Sequence, residues 1–236
     1  MRNQTVRTLS VMINLVLAVL ITTPSSAQLV WQDDFEDGNL EGWTVIYSNF
    51  TVENGVLRLE NDTYPSGEIF HSSTGVVGTW SFRIIGQIWE VDFIATARPG
   101  AYMNAYCLVK GVDRFGRAFY FKKILNDSVE QIARYGYNGN DSWNHVNITR
   151  NVVGAFEIYI DGELVINKAD TSVLESSYFI YYALGNGSGI DDIEVVTELY
   201  TPPGYPTVFL LGFIATVAIL VVAGFIYRKR IVVIED

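Results

Sequence analysis

The sequence predicts an all-β domain, a two-sheet antiparallel jelly-roll sandwich, followed by one C-terminal transmembrane helix. Residues 29–196 show no apolar stripe at helical spacing, and short runs of β-branched and aromatic residues recur there between Gly, Asn and Asp clusters. These runs are too numerous for a single sheet in a domain of this length. The twenty residues at 208–227 carry no charge, which is typical of a membrane-spanning helix.

The first element is a predicted signal peptide at residues 1–27. Two arginines precede an apolar run at 9–21, and in the small-residue stretch that follows Ser25 and Ala27 have the −3 and −1 spacing of a signal-peptidase site. An uncleaved N-terminal anchor is the alternative, but thirteen apolar residues are short for a membrane span. We therefore expect export, with cleavage after Ala27.

Residues 28–200 form the predicted extracellular domain, in which each strand is a β-branched or aromatic run that ends at a turn-forming cluster. The expected strands lie at 30–35, 44–52, 56–60, 68–72, 79–84, 87–96, 102–111, 118–125, 129–135, 143–150, 155–160, 164–167, 178–184 and 190–196. Asn54-Gly55 and Asp161-Gly162 predict two-residue hairpins, because both pairs tolerate positive φ and apolar strands flank them.

The C-terminal part predicts a short spacer, a transmembrane helix and a cytoplasmic tail. Three prolines at 201–207 disfavour both helix and strand, so this spacer holds the domain close to the bilayer. The span at 208–227 would rise about 30 Å, which matches the hydrocarbon core. Three consecutive cations open the tail at 228–236 and are disfavoured from crossing. The expected topology is single-pass type I in the cell membrane.

The predicted extracellular domain is strongly acidic. It carries 24 acidic against 11 basic side chains, a net charge of −13. Such a surface repels nucleic acid and anionic lipid headgroups and suits the binding of cations. The alternative is a charged surface that only keeps the domain soluble. In either case nucleic acid is not expected as a partner.

Cys107 is the single cysteine, so the chain forms no intrachain disulfide even in a compartment that permits one. It lies within an alternating, strand-like run. The sequence therefore predicts a small buried apolar side chain at this position, with an intermolecular disulfide as the alternative.

Six Asn-x-Ser/Thr sequons outside the signal peptide predict glycosylation of an exported domain. The acceptor residues are Asn49, Asn61, Asn126, Asn140, Asn147 and Asn186. Chance matches are common in a chain rich in Asn, Ser and Thr, so we expect only part of the six to be used.

Five motifs along the domain together resemble concanavalin A-like lectin/glucanase sandwiches of the laminin-G-like kind. They lie, in order, at 33–44 (DDFEDGNLEGWT), 53–59 (ENGVLRL), 143–146 (WNHV), 158–165 (IYIDGELV) and 189–195 (GIDDIEV). The resemblance covers nearly the whole extracellular domain and implies a jelly-roll fold. That fold hosts lectins, glycosidases, adhesion modules and spacers, so the function has to be argued from particular residues.

The C-terminal segment resembles the anchors of archaeal surface proteins. Pro203, Gly204 and Tyr205 precede the apolar span, and an Arg-Lys-Arg triplet follows it. Anchors of this kind commonly carry Pro-Gly-Phe at the first position, and Tyr205 replaces that phenylalanine. The resemblance implies a membrane-attached surface protein, whereas the substitution leaves enzymatic processing of the anchor open.

The resemblance also permits a check for catalysis. Glycoside hydrolases of this fold carry Glu-x-Asp-x-(x)-Glu on one strand, where alternation places the carboxylates on one concave face. The segment 89–96 supplies Glu90 and Asp92 but has Ile94 or Ala95 where the second Glu belongs. Without a proton donor the leaving sugar oxygen stays unprotonated. We therefore predict no catalytic residue and do not expect an enzyme.

Acidic residues near the first and last strands predict a structural calcium site. These strands are often neighbours in such sandwiches, and Ca²⁺ takes about six to eight oxygen ligands at roughly 2.3–2.6 Å. Related carbohydrate-binding sandwiches hold a calcium between such segments. The predicted ligands are Asp34, Glu36, Asp191 and Asp192. Solvated turn carboxylates are the alternative.

A ligand-binding face is predicted beside Glu90 and Asp92. If Trp89, Val91 and Phe93 point into the core, the two carboxylates point the other way. Aromatic rings beside carboxylates and amides suit sugars, because the rings stack on C–H faces and the polar groups pair with hydroxyls. The predicted ligand-binding residues are Glu90, Asp92, Asn104, Tyr106, Tyr120 and Lys122. Ordinary packing of a tyrosine-rich sheet is the alternative.

These observations predict a single-pass cell-surface protein whose jelly-roll domain is a non-catalytic recognition or adhesion module for glycans. Its expected partners are the lipid bilayer and either glycans or surface proteins. One alternative is a structural coat component without a small ligand. A second is a degenerate enzyme of the glycoside hydrolase kind.

Overall fold

The structure of the chain is a computed structural model that describes residues 27–60, 66–98, 101–139, 141–185 and 187–198. The predicted signal peptide up to residue 26, the spacer, the transmembrane helix and the tail lie outside these ranges. Among the described residues, no helix is long and apolar enough to cross a membrane. The fold is therefore that of the predicted extracellular domain.

Fifteen β-strands and no helix occur within the described ranges, which confirms the all-β class. In chain order they are β1 (Ala27–Asp33), β2 (Trp43–Tyr47), β3 (Asn49–Glu53), β4 (Val56–Glu60), β5 (Ser66–Ser72), β6 (Gly78–Ile85), β7 (Ile88–Ala95), β8 (Ala105–Asp113), β9 (Gly116–Leu125), β10 (Ser128–Gly136), β11 (Asn144–Arg150), β12 (Ala155–Ile160), β13 (Glu163–Ala169), β14 (Tyr178–Leu184) and β15 (Gly189–Glu198). Most bounds fall within a few residues of the predicted runs, because Gly, Asn and Asp clusters end the strands as expected.

The strands form two antiparallel sheets, as a jelly-roll sandwich requires. Sheet A has eight strands in the order β13-β12-β11-β6-β15-β4-β3, with β1 paired to β15. Sheet B has seven strands in the order β10-β9-β8-β7-β14-β5-β2. The pairing of β1 with β15 sets Asp33 opposite Ile193. The first and last strands are thus neighbours, as predicted.

One predicted strand, 44–52, is in fact two strands that belong to opposite sheets. β2 pairs with β5 in sheet B, whereas β3 pairs with β4 in sheet A. Ser48 lies between them in the left-handed region with φ 65°. Its hydroxyl donates to the carbonyl of Ser66 at 2.5 Å. This backbone conformation redirects the chain from one sheet to the other, which the β-branched and aromatic residues on both sides of Ser48 do not reveal.

The core lies between the inner faces of the two sheets and is rich in aromatic rings. Trp80 of β6 and Phe93 of β7 have no exposed surface, and their ring centroids lie 5.4 Å apart. Trp43 is also buried, with 8% of its surface exposed. Trp143 is only half-buried, and it lies outside the core beneath the guanidinium of Arg83. The core therefore includes Trp43 and Trp80 but not Trp143.

Both predicted two-residue hairpins are present. Asn54 and Gly55 have φ of 52° and 72°, and they join β3 to β4. Asp161 and Gly162, with φ of 52° and 84°, join β12 to β13. Positive φ at both central residues gives the turn a twist that matches that of the flanking strands. This explains why the residue pairs alone predicted the turns.

Arg150 is a buried cation that ties the ends of the two sheets together. Only 3% of its surface is exposed. Its guanidinium donates to the carbonyls of Val76 and Val173 at 3.0 Å each and to that of Asp170 at 3.2 Å. The guanidinium carbon also lies 5.0 Å from the ring centroid of Tyr106. Hydrogen bonds and ring faces therefore replace the water that the cation loses on burial.

Asp170 is a second polar junction between the sheets, with three donors on one carboxylate. Tyr106 donates its hydroxyl, the backbone nitrogen of Ser172 donates at 2.8 Å, and Lys123 donates at 2.9 Å. Burial alone would raise the pKa of Asp170, but these hydrogen bonds outweigh it and lower the pKa below its usual range. The ionised carboxylate is therefore the form that the fold stabilises.

The Asp170→Asn variant is expected to be less stable than the wild type at pH 7 by about 1.5 kcal/mol, with the difference lost in acid. A depressed pKa in the folded state stabilises the protein above the ordinary carboxyl pKa, and this contribution disappears as pH falls through the lower folded pKa. Thermal unfolding at pH 7, 5 and 3 measures the effect. The exposed Glu175→Gln is the control. Parallel pH profiles for wild type and Asp170→Asn would contradict the prediction.

Candidate functional site

The outer face of sheet B, on the side away from the core, carries most of the predicted ligand-binding residues. On β7, Trp89, Val91 and Phe93 belong to the core as predicted, so Glu90 and Asp92 point outward. The strand register places two rows of side chains across this face. The first row is Glu68, Tyr182, Glu90, Val109 and Tyr120, and the second is Phe70, Ile180, Asp92, Cys107 and Lys122.

Two carboxylates on this face are buried without full hydrogen bonding. Asp92 is fully buried, and neither of its carboxylate oxygens has a hydrogen-bond partner. Glu68 is 5% exposed, and its Oε1 also lacks a partner. Burial, with the charge of Glu90 added, raises the pKa of Asp92 well above its usual range. A bound ligand could supply the partners that the fold does not provide.

Tyr182 stands between Glu68 and Glu90 in the first row. Burial raises the pKa of Glu68, a hydrogen bond from Tyr182 partly offsets this, and the charge of Glu90 adds to the rise. Burial and the charge of Asp92, together with the two glutamates, also raise the pKa of Tyr182. The phenol is therefore a neutral hydrogen-bond donor among acidic groups.

Cys107 belongs to this acidic group. It is fully buried, as the sequence predicts, but its side chain points to the outer face and not into the core. Ligand atoms of Cys107, Asp92 and Glu90 all lie within 4.8 Å of one another. Burial and the charges of Asp92 and Glu90 raise the pKa of the thiol. The thiol is thus one member of a compact cluster of possible metal ligands.

An apolar patch adjoins the acidic group on the same face. Its buried members are Phe70, Ala95, Ala105 and Ile180, and the half-buried side chains packed on them are Met103, Ile124, Tyr178 and Tyr182. The centroids of Phe70 and Tyr178 lie 5.1 Å apart with nearly perpendicular rings. The face therefore combines an apolar platform with carboxylates and a phenol.

A β-bulge in β7 decides which residue follows Asp92 on this face. The register with β8 shifts between Asp92 and Ile94. Phe93 and Ile94 both join the core, so Ala95 takes the outward position, inside the apolar patch. The place of the second catalytic Glu in the hydrolase pattern is therefore an alanine, and β7 carries no acid/base residue there.

The structure brings Glu90, Asp92, Tyr120 and Lys122 together on this face, but the predicted grouping is wrong for Tyr106. The Tyr106 ring points into the core, where its centroid lies 4.8 Å from that of Phe156. Asn104 precedes β8, and its side-chain oxygen accepts from the backbone nitrogen of Asn126. It therefore lies at the end of the sheet and not in either row.

The error at Tyr106 has a physical cause. Seven successive residues of β8, from Ala105 to Gly111, are buried. When a strand is covered on both sides, its apolar residues do not alternate with polar ones, and the sequence does not show which set points inward. Lys110 of the same strand also lies on the inner side, where its ammonium donates to Asn144 at 3.1 Å.

Two polar residues of the first row, Glu68 and Tyr182, were not predicted as ligand-binding residues. Glu68 and Tyr182 lie on β5 and β14, which are separate in sequence but paired in sheet B. The segment Glu68-Ile69-Phe70 alternates weakly, with Ile69 in the core. The only feature of the sequence that could have placed Glu68 on this face is an acidic residue within an otherwise buried strand. Its distance from Glu90 depends entirely on strand order.

The predicted calcium ligands lie at the edge formed by β1 and β15. An open groove of about 510 Å³ there is lined by Gln32, Asp33, Asp34, Asp37, Glu41, Asp192, Ile193 and Glu194. Asp34 and Asp192 are therefore neighbours, as predicted. The guanidinium of Arg83, however, lies 3.0 Å from Asp192 and 3.7 Å from Asp191. Arg83 already supplies positive charge at this edge, and calcium binding there stays a prediction.

Glu36 differs from the other predicted calcium ligands. Its backbone nitrogen donates to the carboxylate of Asp34 at 3.2 Å, which forms a turn. Its side chain lies over Gly55, outside the residues that line the groove. Only two of the four predicted ligands, Asp34 and Asp192, thus line the groove.

Three of the six sequons lie within the described residues. Asn49 and Asn126 are exposed, and Asn147 is half-buried. Asn61, Asn140 and Asn186 lie outside the described ranges. Glycosylation at any of the six stays a prediction.

Comparison with solved structures identifies the fold. The chain is similar to the carbohydrate recognition domain of Emp47p, with 13% identity, 75% of this chain and 99% of that chain covered, and a TM-score of 0.55. The Bacillus licheniformis β-glucanase gives 14% identity, 75% and 100% coverage, and a TM-score of 0.53. The exoplasmic/lumenal domain of VIP36, in a form bound to Ca²⁺ and Man3GlcNAc, gives 12% identity, 70% and 88% coverage, and a TM-score of 0.51.

These similarities establish a concanavalin A-like jelly roll, the fold shared by lectins and glucanases. No protein-family model and no curated protein matches the chain. The fold alone does not separate binding from hydrolysis, because the similar structures include both a carbohydrate recognition domain and a glucanase. The residues of the sheet B face have to make that distinction.

Proposed function

We propose that the domain binds glycans on the outer face of sheet B and presents this face at the cell surface. The observation that carries the proposal is the half-buried part of the apolar patch, Met103, Ile124 and Tyr178, next to the acidic row of Glu68, Tyr182 and Glu90. Sugars present C–H faces that pack on apolar side chains and hydroxyls that donate to carboxylates. Glu90, which is half-buried, is one such acceptor.

The similar structures support this proposal at the level of the fold. Emp47p is represented by its carbohydrate recognition domain, and VIP36 by a form bound to Man3GlcNAc. The face of sheet B adds the argument that belongs to this chain. Glu90 and Tyr182 are half-buried on this face, so a ligand that pairs with them displaces water from a partly enclosed surface.

Attachment to the cell membrane belongs to the same proposal and rests on the sequence. The apolar span at 208–227 and the signal peptide at 1–27 support a single-pass type I topology, with residues 28–200 outside the cell. The archaeal type of anchor also stays a prediction. A surface position would give the glycan-binding face access to ligands on other cells or in the surrounding matrix.

Hydrolysis is a second candidate, favoured by one observation. Glu68 supplies a carboxylate that β7 lacks, and it lies across β14 from Glu90. Glu68 and Glu90 are two strand spacings apart, which places their Cα atoms about 10 Å from each other. Inverting glycosidases hold their two carboxyl groups about 6.5–9.5 Å apart, and a raised pKa such as that of Glu68 suits a general acid.

The Tyr182→Phe variant is expected to bind its glycan about tenfold more weakly, because it loses the central donor of the acidic row. The full chain, purified in detergent, is first screened on a glycan array, and the affinity for the strongest ligand is then measured. Tyr159→Phe is the matched control. Its hydroxyl lies on β12 of sheet A and donates to Glu157 at 2.9 Å, so binding should not change.

Other outcomes of the screen point to the remaining functions. Release of a sugar product that Glu68→Gln abolishes would establish hydrolysis in place of simple binding. Silence across the array together with self-association would overturn glycan binding in favour of a coat component. Equal loss of affinity in Tyr182→Phe and Tyr159→Phe would place the binding surface elsewhere than on sheet B.

A further inference from the structure

Glu90, Asp92 and Cys107 form a compact set of potential metal ligands on the sheet B face. Asp92 and Cys107 are paired directly across β7 and β8. One ligand atom from each of the three residues lies within 4.8 Å of the other two. Asp92 and Cys107 have no exposed surface, and Glu90 is half-buried. Acidic groups that merely face solvent would not be enclosed in this way.

Asp92 provides a second and independent indication of a ligand. Both of its carboxylate oxygens are buried, and neither has a hydrogen-bond partner. An isolated buried carboxylate is strongly unfavourable, and buried charges in proteins are generally paired or coordinate a metal. One of these oxygens lies within 4.8 Å of ligand atoms of Glu90 and Cys107, so a bound cation would satisfy all three groups at once.

The basic side chain paired with Cys107 does not fill this role. Lys122 is opposite Cys107 in the register of β8 and β9. Its ammonium lies 5.7 Å from the ring centroid of Tyr120, and neither oxygen of Asp92 accepts a hydrogen bond from it. Lys122 therefore reduces the negative charge of the region without taking the place of a ligand.

We propose that Cys107, Asp92 and Glu90 bind a divalent metal ion of the zinc class. Zinc accepts thiolate sulfur at about 2.3 Å and carboxylate oxygen at about 2.0–2.2 Å, and a tetrahedral site would draw the ligand atoms together by roughly 1 Å. A thiolate favours zinc over calcium or magnesium, which prefer oxygen ligands. On binding, the thiol of Cys107 releases its proton to solvent, and sulfur donates to the metal.

Three protein ligands leave a fourth coordination position, which would face the glycan-binding surface. Water fills this position in many zinc sites with three protein ligands. The metal site does not depend on the proposed glycan binding, because the ion satisfies buried groups of the protein itself. Metal binding and glycan binding are therefore measured separately.

The test uses the full chain in detergent after removal of metals with a chelator. Isothermal titration with Zn²⁺ is expected to give one site per chain. Substitution with Co²⁺ is expected to give a thiolate-to-cobalt charge-transfer absorption, which only a sulfur ligand produces. Cys107→Ser should abolish this absorption, and Cys107→Ser and Asp92→Asn should each weaken zinc binding at least about tenfold. The control Glu157→Gln, on sheet A, should bind as the wild type does.

Circular dichroism of each variant establishes that it is folded, so a lost site is not mistaken for a lost fold. Absence of zinc binding in folded wild-type protein would overturn the proposal. Equal zinc affinity in wild type, Cys107→Ser and Asp92→Asn would also overturn it, because the ion would then bind elsewhere. A site that prefers Ca²⁺ and gives no cobalt–thiolate absorption would exclude Cys107 as a ligand.

Discussion

The Arg150→Ala variant is expected to lose about 4 kcal/mol of unfolding free energy, the largest effect predicted for a single substitution in this domain. Its guanidinium donates to the carbonyls of Val76, Asp170 and Val173. Alanine would leave these carbonyls without that donor and would open a cavity next to Phe156, whose ring centroid lies 4.9 Å from the guanidinium carbon. Both losses act in the same direction.

Chemical denaturation of the full chain in detergent, followed by tryptophan fluorescence, measures this effect. Arg150→Lys keeps the charge, but lysine has no planar guanidinium with which to donate to three carbonyls. Its loss of unfolding free energy should therefore be smaller than that of Arg150→Ala but greater than zero. Arg98→Ala replaces an exposed arginine and should leave the midpoint unchanged. A loss for Arg150→Ala as small as that for Arg98→Ala would show that the three carbonyls find other partners.

The Asp92→Asn variant is expected to gain about 2–3 kcal/mol of unfolding free energy in metal-free protein. The amide has nearly the same shape as the carboxylate but carries no charge. Because burial raises the pKa of Asp92, folding of the wild type at neutral pH has to overcome either the burial of a charge or the uptake of a proton. Substitution of a buried polar residue normally destabilises, so a gain in stability is a specific test of the unpartnered carboxylate.

Asp191→Asn is the matched control for this prediction. Asp191 is also buried, with 8% of its surface exposed, but its carboxylate accepts from the backbone nitrogen of Asp192 at 2.8 Å and lies near Arg83. Burial raises the pKa of Asp191 and these partners offset part of the rise, so Asp191→Asn should gain less stability than Asp92→Asn, or none. Urea denaturation in the presence of a chelator measures both variants. A decrease for Asp92→Asn would mean that the Asp92 carboxylate has stabilising partners.

Arg150 and Asp92 show two different uses of a buried charge. Arg150 is satisfied by carbonyls and ring faces, and its role is to join the sheets. Asp92 lacks such partners and therefore costs stability. Proteins retain destabilising groups of this kind mainly where binding or catalysis requires them. This contrast points to the sheet B face, and not to the sheet junction, as the functional surface.

The same face bears on the choice between a lectin and a hydrolase. The β7 bulge places Ala95 where the hydrolase pattern has its second Glu, whereas Glu68 reaches the face from β5. Alanine has no titratable group, so this position cannot supply the proton that hydrolysis requires. Hydrolysis would require Glu68 to act as the proton donor from a different strand, which Glu68→Gln tests directly.

Much of the strand pattern and the turns could be predicted from the sequence because they depend on local chemistry. Asn54-Gly55 and Asp161-Gly162 form the expected hairpins, since positive φ is a property of the residues themselves. The outward position of Glu90 followed from the alternation of Trp89 and Val91 with polar neighbours. Where apolar residues fill both faces, as in β8, the same method assigned Tyr106 to the wrong side.

The sequence by itself determined the all-β class, the two hairpins and the outward position of Glu90 and Asp92 on β7. It also predicted attachment to a membrane. Only the tertiary structure decided that 44–52 divides between the sheets, that Tyr106 lies in the core, and that Glu68, Tyr182 and Cys107 surround Asp92. Turn formation and alternation depend on neighbours in the chain, whereas strand order brings together residues far apart in sequence, and no local pattern records that order.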